Sequence, residues 1–260
     1  MAGISFIVRV RNEEATLEDS LSSLKGLTIP HDIHVILNVC SDGSQSIAEK
    51  LQKEGMPIHI HTYDIPLSRA GYETLITDAE SPHSFVQHSK WCYSKATHAW
   101  KFRWDADFIA SPALIKYLNG REWSAPEKPT SIKITYVSPD VSNSEGYLFS
   151  GNFSMIKYVF WEYCQLEGDH VTEDLAPEIH IRHKSVLWEM KKYWREPCWF
   201  WADVSNEAAE LRRKYHALVS LCGGEPPGQA RASNPSSANI FCQVRDNEAK
   251  LKSHGIHFWI

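Results

Sequence analysis

Two aspartates one residue apart, Asp105 and Asp107, close the run Lys101-Phe102-Arg103-Trp104-Asp105-Ala106-Asp107. Side chains at i and i+2 point the same way while a strand stays extended, so two hard oxygen donors can converge on one divalent cation. Carboxylates this close repel one another, and a cation carrying a phosphate-bearing substrate relieves the repulsion. So short a pattern also arises by chance, and its neighbours must decide. A second acidic run, Glu167-Gly168-Asp169-His170-Val171-Thr172-Glu173-Asp174, precedes Pro177; within it Asp169 or Thr172 would serve equally as a helix cap. His180 and His183 follow, three residues apart. Beside acidic residues and downstream of a metal-capable turn, either histidine is a candidate ligand.

The elements that must position these residues read as alternating strands and helices. Residues 4–8 are a near-continuous apolar run, as in a strand covered on both faces, and Arg9, Arg11, Asn12, Glu13 and Glu14 follow at once. Leu17, Leu21 and Leu24 then recur at helical spacing up to Gly26. Glu13 and Glu14 in that first turn would complement a helix dipole even with no other role. Residues 33–37 are a second strand, followed by the turn Asn38-Val39-Cys40-Ser41-Asp42-Gly43-Ser44 and a helix carrying Ile47, Ala48 and Leu51. Residues 57–61 read as a third, short strand. Within the turn-rich stretch 64–84, Arg69 stands beside Ala70-Gly71, a cation next to flexible backbone; this suits phosphate, and equally an ordinary surface loop.

Trp91, Cys92, Ala96 and Ala99 predict a helix over 85–99 that delivers the chain to the aspartate-bearing strand. Ser111 is a good N-cap and Pro112 a good first helical residue, so the aspartates sit on a strand-to-helix turn. In open α/β sheets ligands bind beyond the carboxyl ends of the strands, where such a turn lies. The alternation predicts an α/β fold with a mostly parallel central sheet and helices on both faces. Residues 131–137 alternate clearly, and with 147–159 they predict a smaller mixed or antiparallel layer that closes the cleft. Residues 187–201 are aromatic and basic, 206–220 amphipathic, and 223–239 of linker composition.

The composition narrows the function classes. With 27 Lys and Arg against 32 Asp and Glu, the formal charge is −5, which leaves no basic footprint for nucleic acid. The six cysteines are widely spaced without a C-x-x-C pair, which argues against a zinc cluster. The N-terminus lacks a signal-peptide pattern, and no apolar run reaches the ~18 residues of a transmembrane segment. The chain therefore reads as soluble, in a reducing, cytoplasmic compartment, with peripheral membrane contact left open to aromatic residues such as Trp199-Phe200-Trp201. Neither G-x-G-x-x-G nor G-x-x-x-x-G-K-[ST] occurs, which disfavours dinucleotide oxidoreductases and P-loop enzymes.

In three places, in order, the chain resembles the family 2 glycosyltransferases of the GT-A fold. The opening strand with Arg11-Asn12-Glu13-Glu14 resembles that family's first strand and R-N-E-E turn. Ile36-Leu37-Asn38-Val39-Cys40-Ser41-Asp42-Gly43-Ser44 is similar to its V-V-D-N-C-S-T-D-G-T stretch, and the segment 95–107 to its A-T-G-D-W-I-L-W-L-D-A-D run. The resemblance covers residues 3–110, weakens to about 195 and stops there.

It implies a Rossmann-like nucleotide-binding fold, a GT-A domain over 1–200 whose halves 1–110 and 111–200 hold donor and acceptor, and a helical appendage over 201–260. It implies a metal-dependent, inverting transfer of sugar from a nucleotide-sugar, UDP-sugar first, to a glycan or other hydroxyl acceptor. Arg9, Arg11 and Glu13 would line the nucleoside pocket and Arg69 approach the base or diphosphate. Asn38 stands where the family has the aspartate that reads the uracil edge; an amide both donates and accepts, which leaves the base open between UDP and others. Asp105 and Asp107 would be the D-x-D pair holding Mn²⁺ or Mg²⁺. Thr172-Glu173-Asp174-Leu175 resembles the E-D motif, making Asp174 the base with Asp169 as alternative. His180 would complete the metal shell, favoured over His183 because Lys184-Ser185 then fits the R-S that follows in the family. The Q-x-x-R-W motif of processive synthases is missing; Lys192-Tyr193-Trp194-Arg195 is a loose echo. The rival readings are a catalytically silent sugar-nucleotide or glycan-binding module, and a nucleotidyltransferase, whose glycine-rich loop is absent after the first strand.

Overall fold

The structure, a computed structural model, describes residues 1–67, 77–137, 142–157 and 162–183. Contacts divide the chain into two units: Met1–Ile65 with Ser89–Ser154 and Cys164–Leu187, and Pro66–His88 with Met155–Tyr163 and Trp188–Ile260. Arg69, the aromatic and basic stretch 187–201, the linker 223–239 and the boundary at residue 200 all lie outside the described residues.

The first unit is built on a mixed sheet that is mostly parallel. Its strands are β1 (Ile4–Val10), β2 (His31–Asn38), β3 (Ile58–Tyr63), β4 (Trp100–Asp105), β5 (Ile109–Ala110), β6 (Thr130–Val137), β7 (Ser142–Ser150), β10 (Val171–Asp174) and β11 (His180–Arg182). A separate two-stranded sheet pairs β8 (Phe153–Lys157) with β9 (Glu162–Leu166). The main order is β3-β2-β1-β4-β7-β6-β11-β5, with β10 also on β6. β1 to β4 are parallel, so Val10, Asn38 and Asp105 end on one edge. β7 returns antiparallel between β4 and β6.

Alternation along β1 and β2 separates two faces. Phe6, Val8, Val10, Ile33, Val35 and Leu37 join the main core, which is closed by α1 (Leu17–Ser22), α2 (Ser44–Lys53) and α4 (Pro112–Asn119) through Leu17, Leu21, Ala48, Leu51, Leu114 and Leu118. Phe6 stacks on Phe102 at 5.1 Å, and Trp104 meets Phe102 edge-on at 5.2 Å. Aromatic pairs of this kind add about 0.5–1.5 kcal/mol beyond the area they bury. The other face carries Ser5, Asp32, His34, Arg9 and Asp105, and α3 (Phe85–Tyr93) lies against it through Ser89, Trp91 and Tyr93. Among the described residues no helix is long and apolar enough to cross a membrane.

Three local outcomes differ from the sequence reading, the first being that the stretch in which Asp169 or Thr172 could cap a helix holds strand β10 instead. The helix expected over 85–99 ends at Tyr93. Ser5 Oγ accepts the N–H groups of both Thr97 and His98 at 3.0 Å, which takes those groups out of helical pairing ahead of β4. The strand carrying the aspartates stops at Asp105, where Phe108 N–H turns back to the Asp105 carbonyl at 3.0 Å. Ser111 does cap α4, accepting from Leu114 N–H at 3.1 Å, with Pro112 at the first position. In the second unit, Ser84 Oγ accepts Val86 N–H at 3.0 Å and His83 Nδ1 lies 2.6 Å from the Pro66 carbonyl.

Candidate active site

The chain runs β1 to β2 to β3 in one direction and then returns to place β4 on the far side of β1. The direction of winding therefore reverses between β1 and β4, and ligands of open α/β sheets bind at such a reversal. Arg9 and Asp105 face one another there in register. Arg9 Nη2 donates to Asp105 Oδ1 at 3.1 Å, and Nη1 donates to Ser89 Oγ at 3.3 Å. Burial works against the Asp105 carboxylate, but Arg9 and Arg103 outweigh it and hold its pKa below the usual range.

The turn after Asp105 splits the aspartate pair. Asp107 leaves the strand direction and meets His183: Nε2 lies 3.3 Å from Oδ2, and each side chain is 9% exposed. His183 N–H bonds to the Val137 carbonyl at 2.9 Å, and its ring packs edge-on against Phe108 and Tyr136 at 5.4 and 5.9 Å. The aromatic core thus runs from Trp104 through Phe108 to the histidine. His180 sits on β11 with Nδ1 3.0 Å from the Glu178 carbonyl and its N–H on Ser111 Oγ. Asp107 and His183 line a cleft of about 420 Å³ together with Thr16, Asp19, Ile109 and Arg182.

Asn38 is 2% exposed at the end of β2. Its Nδ2 donates to the carbonyls of Tyr63 and Ile65 at 2.9 and 2.8 Å, while its Oδ1 is buried without a partner. Both amide hydrogens are thereby spent, and what remains is an acceptor. The next residue, Val39, is 44% exposed with φ +47°, a left-handed conformation rare for a β-branched side chain. The turns after β1 and β2 are cross-linked: Asn12 Oδ1 accepts from Ser41 N–H at 2.7 Å, Ser44 Oγ from Glu13 N–H at 2.8 Å, and Glu14 Oε2 from Gly43 N–H at 2.8 Å. Glu13 Oε2 takes the Thr16 hydroxyl at 3.0 Å. Arg11 lies half-buried in the same turn.

Asp174 and Asp169 stand elsewhere. Asp174 pairs with Lys133 in the β10–β6 register, its carboxylate 3.7 Å from Lys133 Nζ and 67% exposed. Lys133 precedes by four residues the Val137 that holds His183, roughly 13 Å along a strand. Asp169 is 82% exposed and bonded to Lys128 at 2.7 Å. Glu173, their neighbour, accepts from Tyr117 Oη at 2.8 Å and Arg121 Nη1 at 2.6 Å. Sequence reasoning singled out neither Thr16, Asp19 nor Arg182 as site residues; Asp19 looks like ordinary first-turn acid, and only tertiary contacts bring it to Asp107.

Among the described residues no three carboxylate, imidazole or thiol groups converge on a cation site. The donor set at Asp107 and His183, one carboxylate and one imidazole, could nonetheless supply two ligands to a divalent cation whose remaining positions come from outside the chain. One carboxylate oxygen with one imidazole nitrogen suits Mn²⁺ better than Mg²⁺, which favours oxygen alone.

No family model matches the chain, and no curated protein does. Among solved structures it is similar to S. aureus TarS 1-349 in complex with UDP, at 17% identity and TM-score 0.34 over 52% of this chain. That match spans only 36% of the TarS chain. A mannosyltransferase, PcManGT from Pyrobaculum calidifontis in complex with GDP-Man and Mn²⁺, matches at 13% identity and TM-score 0.43, over 97% of this chain and 79% of that one. Glucosyl-3-phosphoglycerate synthase from Mycobacterium tuberculosis, in complex with Mn²⁺, UDP and glucosyl-3-phosphoglycerate, matches at 13% and 0.41, over 87% and 82%. All three TM-scores lie below 0.5, so the functional reading is carried by this chain's own residues.

Proposed function

We propose that the protein is a divalent-metal-dependent glycosyltransferase of the GT-A type that moves a sugar from a nucleoside-diphosphate sugar to a hydroxyl acceptor. The observation that carries this reading is the pairing of Asp107 with His183, both nine-tenths buried, at the cleft beside the sheet's winding reversal. Asp107 and His183 would hold Mn²⁺, which when bound neutralises charge developing on the leaving diphosphate. Arg9 orients Asp105, whose other carboxylate lone pairs would accept a ribose hydroxyl. Asn38 stands at the same edge with its Nδ2 spent on backbone and only the buried acceptor Oδ1 left; such an acceptor suits the imide N–H of uracil and the N1–H of guanine alike, so UDP is the first choice by the resemblance rather than by this atom. Arg182 lines the cleft as a cation for phosphate oxygens. Direct displacement with inversion needs one further group, a carboxylate within reach of the acceptor hydroxyl.

Calorimetric titration with UDP and GDP, with Mn²⁺ and with a chelator, tests the reading without knowledge of the acceptor. UDP binding that disappears with the chelator is the expected result. Preference for GDP would reassign the base pocket around Asn38, and no binding of either nucleotide would contradict the proposal.

A further inference from the structure

We propose that Asp19 is the carboxylate that takes the proton from the acceptor hydroxyl, an assignment that rests on the glycosyltransferase reading above. Asp19 lies in α1 and lines the same cleft as Asp107 and His183. Its position there is enforced from both sides. The next residue, Ser20, accepts the indole N–H of Trp104 at 2.9 Å and approaches the Asp105 carbonyl at 3.5 Å. Three residues further on, Ser23 Oγ accepts the N–H of Ala110 at 3.1 Å. α1 is thus fastened to the chain before and after Asp107, and an exposed carboxylate one residue ahead of the first fastening projects at the cleft mouth.

The surrounding charges sharpen the assignment. Glu18, beside it in sequence, is bonded to Lys50 at 2.6 Å. Asp169 and Asp174 are bonded or paired to Lys128 and Lys133 outside the cleft. Among the described residues Asp19 has no side-chain hydrogen bond or ion pair, so its lone pairs are available to a ligand. Arg182, in the same cleft, is likewise unpaired among the described residues, which leaves one cation for phosphate and one anion for a hydroxyl around a common floor. In the transfer step the acceptor O–H bond breaks and its proton passes to an Asp19 carboxylate oxygen. The freed lone pair forms the bond to the anomeric carbon. The bond from that carbon to the diphosphate breaks, and its electron pair leaves with the nucleoside diphosphate.

The test compares wild type, Asp19→Asn and Asp174→Asn by two measurements. One is Mn²⁺-dependent UDP affinity. The other is release of nucleoside diphosphate from UDP-glucose, UDP-N-acetylglucosamine and GDP-mannose, with water or added glycerol as hydroxyl acceptor. General-base removal costs about 10²–10⁴-fold in rate. Asp19→Asn should therefore bind UDP within about twofold of wild type while release falls by at least ~100-fold, and Asp174→Asn should keep both. Undiminished release by Asp19→Asn would overturn the assignment, as would loss of its UDP affinity, which would make Asp19 a binding residue. Wild type that binds nucleotide yet releases none from any donor would also overturn it, since a carboxylate so placed activates water as well. If wild type binds no nucleotide at all, the glycosyltransferase reading itself falls.

Discussion

At Asn38 two backbone carbonyls fix what the side chain can be. With two carbonyls facing its Nδ2, a carboxylate at this position would trade two hydrogen bonds for two repulsive contacts in a buried site. Asn38→Asp should accordingly destabilise the fold by about 2–4 kcal/mol, measured by urea unfolding. An unchanged unfolding midpoint would mean that the amide is not fastened as described. The amide was conspicuous in the sequence as a departure from the aspartate of the resembled family, but its spent donors were not, because they depend on where Tyr63 and Ile65 present their carbonyls. The histidines show the same limit. Residues three apart on an extended segment face opposite sides, so only one of His180 and His183 can look into the cleft, and spacing cannot choose between them. The choice is made by Val137, which takes the His183 N–H, and by the Phe108 and Tyr136 rings around it.

At the scale of elements, two devices hold the site edge in place. The first is the cross-linked pair of turns after β1 and β2, where Val39 takes φ +47°. A left-handed β-branched residue costs about 1–2 kcal/mol, against about 0.5–1 kcal/mol for the added chain freedom of glycine. Val39→Gly should thus stabilise the protein slightly and raise its melting temperature; a clear fall would show that the valine side chain holds something at the turn. The second is the fastening of α1 by Ser20 and Ser23. Ser20→Ala leaves the buried Trp104 N–H without an acceptor and should cost about 1–3 kcal/mol, read from the urea midpoint. Strands β1 to β4 and β6, the first two helices and the Ser111 cap were legible from apolar period and cap chemistry, whereas the short strands β5, β10 and β11 carry too few residues to show a period. The early end of α3 was not, since it depends on one hydroxyl, Ser5 Oγ, reaching across from β1.

The polar face of the sheet adds a pH dependence. Burial pushes the Asp32 carboxyl up, but the adjacent His34 imidazole and the hydroxyls of Thr97 and Ser5 outweigh it and hold the pKa well below the ordinary value of 3.8. His34 Nε2 lies 3.1 Å from Asp32 Oδ1, close but off-axis, and His34 Nδ1 meets His61 Nε2 at 3.0 Å. A depressed carboxylate contributes stability that is whole above its unfolded pKa and is lost as pH falls towards its folded pKa. Unfolding free energy should hence decline below the ordinary aspartate value of 3.8, and Asp32→Asn should flatten that acid limb while lowering stability at neutral pH. Urea titrations across acid pH check both; an unchanged acid limb would show that Asp32 is not the group responsible.

Across the whole molecule, the order β3-β2-β1-β4 puts the reversal of winding beside Arg9 and Asp105, and the returning strands β6, β7 and β11 carry His183 up to Asp107 from the other half of the sheet. Alternation in the sequence sufficed for the α/β class and for the carboxyl edge as the place to look. It could not reveal that β10 and β11 occupy successive stretches of one strand, which leaves Asp174 and His183 roughly 13 Å apart in register along β6. Asp107 and His183 are proposed to hold jointly a cation that presents a diphosphate. The most direct measurement is the free Mn²⁺ signal in electron paramagnetic resonance, titrated with and without UDP on wild type, Asp107→Ala, His183→Ala and His180→Ala. Wild type and His180→Ala should sequester Mn²⁺ when UDP is present, and Asp107→Ala and His183→Ala should not. Full UDP-dependent sequestration by His183→Ala or by Asp107→Ala would contradict the account.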